Sequence, residues 1–166
     1  MNKRKKETKR YLLVITSLFL FCFQNAHAFS VGITVKGQVL APPCTINNGS
    51  EIFVHFGGGI LPESIDGKNH ERVIPYTLDC TGSASNLLKI KITGTGSPFN
   101  NTLLGTSKNN LAIEVKNNSY KFPLNSWANI TYPTQPVLSA VLVRNGTGAI
   151  SVGLFGATAT IVVEYR

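Results

Sequence analysis

Alternation of apolar and polar positions dominates the chain after residue 28, and no stretch holds a helical period over three turns. The clearest case is Leu88-Lys89-Ile90-Lys91-Ile92, whose apolar side chains point one way and both lysines the other. This pattern predicts a strand with one wet face. Further strands are expected at 51–56, 73–80, 111–116, 136–144 and 156–166, separated by turn formers such as Gly57-Gly58-Gly59, Asp66-Gly67, Thr81-Gly82-Ser83 and Asn145-Gly146. Residues 60–65 are expected to form one helical turn. Short strands at this spacing predict an all-β sandwich.

The first residues read differently. Lys3, Arg4, Lys5, Lys6, Lys9 and Arg10 precede an apolar run from Tyr11 to Phe23. That run is about 13 residues, against the roughly 20 that a helix needs to cross a bilayer. Ala26 and Ala28 then supply the small residues of a signal-peptidase site. An export signal at residues 1–28, cleaved after Ala28, is the expectation. Lipoprotein processing would need small residues before Cys22, where Leu20 and Phe21 stand.

Export changes the meaning of the charge. The whole chain carries 16 basic and 8 acidic residues, for a net +8. Six of the basic residues and one acid lie in the signal, so the remainder holds 10 against 7. No Lys/Arg cluster with interleaved aromatics occurs after residue 28, which argues against nucleic-acid binding. Removing 28 of 166 residues leaves 138, a length that suits one domain. Only Cys44 and Cys80 remain, and an exported domain with two cysteines most simply forms one disulfide.

Catalytic and metal-binding patterns are not found. His55 and His70 have no Cys, Asp or Glu partners at ligand spacing and read as surface residues. The carboxylates are scattered, and Gly57-Gly58-Gly59 lacks the Lys-Ser/Thr that a phosphate loop requires. Neither an enzyme nor a cofactor or small-molecule substrate is expected.

Both ends look made for a partner. Val31, Ile33, Val35, Gly37 and Val39 share one face of a strand that begins beside the expected cleavage site, with Gly37 interrupting a β-branched face. At the other end Ala157, Ala159, Ile161, Val163 and Tyr165 form one face of a strand that runs into Arg166. An apolar last strand of this kind leaves an edge either covered or awaiting a partner, and strand addition would satisfy both ends.

The export signal, the alternating arm with its internal glycine, Pro42-Pro43-Cys44-Thr45-Ile46-Asn47-Asn48-Gly49, Val54-His55-Phe56-Gly57, Cys80 and the penultimate Tyr165 together resemble a fimbrial subunit of the chaperone–usher class. The resemblance is strongest to the minor tip and adaptor pilins of P-type pili. It implies an incomplete immunoglobulin-like β-sandwich lacking its seventh strand, preceded by an N-terminal donor-strand extension at 29–40, with the pilin domain at 41–166. It further implies that Val31, Ile33, Val35, Gly37 and Val39 are donor residues, and that Ala157, Ala159, Ile161 and Val163 line an acceptor groove. Tyr165 and Arg166 would sit where a chaperone grips the last strand, and Cys44 and Cys80 match the family disulfide. The implied partners are a periplasmic pilus chaperone, an outer-membrane usher, neighbouring pilins and the tip adhesin. A rod or terminator pilin, or a carbohydrate-binding adhesin subunit, are the alternatives the same resemblance leaves open.

Overall fold

The structure, a computed structural model, describes residues 44–166. All belong to one compact unit, Val39–Arg166. The first strands are short: β1 (Thr45–Ile46), β2 (Arg72–Val73) and β3 (Leu78–Asp79). They are followed by β4 (Leu87–Gly94), β5 (Gly96–Ser97), β6 (Asn100–Gly105), β7 (Leu111–Asn117), β8 (Tyr120–Lys121), β9 (Trp127–Thr131), β10 (Leu138–Arg144) and β11 (Ala159–Tyr165).

One sheet has the order β11-β4-β9, and a second runs β2-β10-β7-β6-β5 with β8 folded back onto β7. Every pairing is antiparallel. In β4 the alternation read from the sequence holds: Leu88, Ile90 and Ile92 are at most 3% exposed. On its wet face the Lys89 and Lys91 ammonium groups lie 4.5 and 4.3 Å from the ring centre of Trp127 on β9. Ile130 of β9 joins the three β4 residues in a core completed from the facing sheet by Leu104, Ile113, Val115, Leu138, Ala140 and Leu142. The result is two main sheets with one apolar interior, beside a separate two-stranded β1–β3 ribbon.

Turn chemistry fixes the register of the second sheet. Asn118 and Ser119 adopt φ of 48° and 70°, the left-handed values of a two-residue hairpin turn, and join Asn117 to its partner Tyr120. On the outer side of β7 and β10, Glu71 accepts hydrogen bonds from Lys116 at 2.8 Å and Ser139 at 2.5 Å. These two contacts, Lys116 first, hold the Glu71 carboxyl below its ordinary pKa. Tyr76 donates its hydroxyl to the Pro136 carbonyl at 2.7 Å, and burial pushes its pKa up to about 12.

Two expected strands are corrected. Residues 73–80 do not form one strand. Arg72–Val73 pairs with β10, Leu78–Asp79 pairs with β1, and Pro75, which has no N–H to donate, stands between them. Residues 51–56 enter no ladder with described residues, although their burial alternates as a strand's would. Alternation reports which side faces the core. A strand also requires a paired neighbouring backbone, and no described strand pairs with this segment. The helical turn expected at 60–65 narrows to a 3-10 turn, Pro62–Ser64.

Candidate functional site: an apolar groove beside the last strand

β11 pairs along its whole length with β4 on one side, from Ala159 opposite Gly94 to Tyr165 opposite Leu88. No described strand pairs with its other edge. Directly opposed residues of an antiparallel pair share a face. Ile161, Val163 and Tyr165 therefore point inward beside Ile92, Ile90 and Leu88. Yet the β4 residues are buried while the three β11 residues are only half-buried. The inward face of β11 is part of the core with its outer flank uncovered.

Across from this edge runs the 51–59 segment. Ile52, Val54 and Phe56 turn toward the core while Glu51, Phe53 and His55 are exposed. Between them lies a groove of about 1320 Å³, whose lining includes the core residues Ile92, Leu104, Ile113 and Val115. Phe56 and Phe155 approach with ring centres 5.9 Å apart, linking the 51–59 wall to the chain that leads into β11. Phe53, Val152 and Leu154, at 65%, 91% and 96% exposure, leave large apolar groups along its rim.

Hydrogen bonds position the rim beside β11. Ser107 N–H donates to the Gly156 carbonyl at 2.9 Å, Gly156 N–H donates to Ser107 Oγ at 3.1 Å, and Lys108 Nζ donates to the Val152 carbonyl at 2.9 Å. Of the described residues lining the groove, Glu51, His55 and Lys108 are the ionisable ones. Among the described residues no group of three or more His, Cys, Asp or Glu side chains could hold a metal ion.

Ala157, Ala159 and Ile161 line the groove. Val163 shares their face farther along β11, Tyr165 packs against the core, and exposed Arg166 donates its N–H to the Leu87 carbonyl at 3.0 Å. Cys44 and Cys80 are joined by a disulfide beside the β1–β3 ribbon. Val31, Ile33, Val35, Gly37 and Val39 lie outside the described residues. His55 is exposed and stacks on Phe53, whereas His70 is half-buried, with Nε2 2.7 Å from Ser64 Oγ. The sequence reading missed the role of 51–59 as the opposite wall and the contributions of Lys108, Val152 and Phe155. The alternation of Ile52, Val54 and Phe56 was the available signal for that wall.

An apolar trough larger than the usual 300–1,000 Å³ small-molecule pocket, with a strand edge that pairs with no described strand along one side, suits an extended polypeptide. The comparisons point the same way. The chain is 32% identical over 153 residues to the uncharacterized fimbrial-like protein YfcR of Escherichia coli (strain K12), covering 87% of this chain and 88% of that protein. It is 32% identical over 169 residues to the fimbrial adapter PapF of Escherichia coli, covering 93% and 100% respectively. The solved structure of the P pilus adaptor subunit PapF matches with a TM-score of 0.57 at 32% identity, over 78% of this chain and all of that one. Residues 33–166 match the family model described as fimbrial protein. The chain thus belongs to the fimbrial protein family, structural subunits rather than enzymes, and its sandwich is the immunoglobulin-like fold of pilins.

Proposed function

We propose that this protein is a minor pilus subunit of the tip or adaptor kind, which polymerises by donor-strand exchange. The observation that carries the reading is the edge of β11 that pairs with no described strand, facing across an apolar groove the 51–59 segment, which joins no ladder with described residues. A strand laid between them would pair with both backbones and cover the half-buried Ile161 and Val163. Four apolar side chains at roughly 1.5–3 kcal/mol each would contribute about 6–12 kcal/mol before ordering costs, enough for a durable non-covalent joint.

In this reading residues 1–28 direct export and are removed, 29–40 form the donor arm, and 41–166 form the accepting domain. A periplasmic chaperone fills the groove first, because an open edge beside exposed apolar side chains invites aggregation. Subunits then pass to an outer-membrane usher, where a neighbour's arm replaces the chaperone strand, and the finished pilus stands on the cell surface. Val31, Ile33, Val35 and Val39 enter the groove of one neighbour with Gly37 among them. Ala157, Ala159, Ile161 and Val163 receive another neighbour, and Tyr165 and Arg166 meet the chaperone. The adaptor role of the similar PapF supports a position at the tip.

Deleting residues 29–39 tests the assignment of the arm. The deleted protein should still co-purify with its chaperone but fail to attach to the preceding subunit. Normal incorporation of the deletion into pili would sink the reading.

A further inference from the structure

We propose that the strand filling this groove carries a carboxylate at the end that lies beside Val152, where Lys108 receives it. This rests on the strand-accepting reading above and adds the chemistry of the partner.

Lys108 is the one lysine or arginine among the described residues lining the groove. Its side chain is half-buried, and its ammonium donates to a single described acceptor, the Val152 carbonyl at 2.9 Å. The three ion pairs among the described residues use Lys89, Lys116 and Lys121 instead. An ammonium has three protons to donate, so water satisfies what Val152 does not. A strand that fills the groove displaces that water. An apolar end there would leave a charge desolvated without a counterion, which costs free energy. A carboxylate in the same place would accept a charge-assisted hydrogen bond of about 2.7–2.9 Å and remove the penalty.

The demand is local. Glu51 stands on the opposite wall, five residues before the Phe56 that meets Phe155, so acidic groups along the whole strand would face repulsion there. The geometry also argues against a second copy as donor. The chain's own 29–40 segment contains Lys36 and neither Asp nor Glu. The groove therefore favours the arm of a different subunit.

The test uses the complex of this protein with its periplasmic chaperone and follows chaperone release. The probes are peptides of the length of residues 29–40 in which Val alternates with Thr, capped at both termini, with Glu, Gln or Lys at the first or the last position. In one of the two positions, the Glu peptide should outcompete the Lys peptide by about 3- to 10-fold, with Gln between them. Lys108→Met should abolish the difference, and Lys108→Glu should reverse its order. Equal displacement by Glu and Lys peptides at both positions would overturn the carboxylate proposal and leave the strand-accepting reading standing. So would a preference that survives Lys108→Met. The comparison among peptides on the unaltered protein holds even where a Lys108 variant fails to fold. Failure of every peptide to enter would overturn both readings.

Discussion

Ile161 and Ile92 are cross-strand partners on the same inward face, but Ile92 is 3% exposed and Ile161 is half-buried. Truncating each to alanine should therefore act on different quantities. Ile92→Ala removes a fully packed side chain and should lower the stability of the domain by about 2–5 kcal/mol. Ile161→Ala loses only part of its packing in the unoccupied domain. Full burial of an isoleucine side chain is worth roughly 1.5–3 kcal/mol, and about half of that, some 0.7–1.5 kcal/mol, remains to be gained when a strand covers it. The affinity for a donor strand should fall about 3- to 12-fold. Thr160, next to Ile161, is exposed on the opposite face of β11, so Thr160→Ala serves as the control. The assay is exchange of a neighbouring subunit's arm into the chaperone-bound protein, followed by fluorescence and fitted over arm concentration. The reasoning is refuted if Thr160→Ala weakens capture as much as Ile161→Ala, or if Ile161→Ala leaves capture unchanged.

Other consequences follow from the same geometry. The Cys44–Cys80 bond closes a loop with a sequence separation of 36, so replacing both cysteines with alanine should cost roughly 4 kcal/mol in the chain-entropy model, read as a shift in urea midpoint that reductant no longer enlarges. Because the Glu71 pKa is lowered from 4.5 in the folded protein, its contribution is fully present above that value and is lost as the pH falls below it through the folded pKa. Glu71→Gln should accordingly flatten the acid limb of a stability-against-pH curve, and an unchanged limb would rule out the Lys116 and Ser139 contacts as its source. A Cβ added at Gly96 would lie 2.8 Å from the Asn101 carbonyl oxygen and 2.9 Å from its Cα. Gly96→Ala should therefore destabilise the domain by about 1–3 kcal/mol in chemical denaturation, since backbone rather than a flexible side chain must move.

The strands with strict alternation and continuous partners were legible in the sequence. Leu88 to Ile92, the 111–116 stretch and the 156–166 stretch each appear as strands, extended or trimmed at their ends. The disulfide also followed from the two cysteines of an exported chain. What failed to appear was set by neighbours rather than by local pattern. Residues 51–56 carry the right alternation, but strand status depends on a paired backbone that a sequence window does not contain. β6 and β9 were missed because Asn100, Asn101, Asn129 and Thr131 dilute their apolar positions, and pairing with β7 and β4 supplies what propensity does not. Within the groove, Ala157, Ala159 and Ile161 were readable from the last strand's alternation. Lys108 was not, because it reaches the rim through a turn between β6 and β7 and meets Val152 across a long separation in sequence.

The central claim is that one strand from a partner bridges 51–59 and β11, and amide hydrogen exchange on the subunit with and without a bound donor arm tests it most directly. Alternate amides along 51–59 and along the outer edge of Ala159–Tyr165 should become protected together when the arm binds, because a strand inserted between them exchanges backbone hydrogen bonds with both. Protection gained at neither edge, or at one edge alone, would contradict the account.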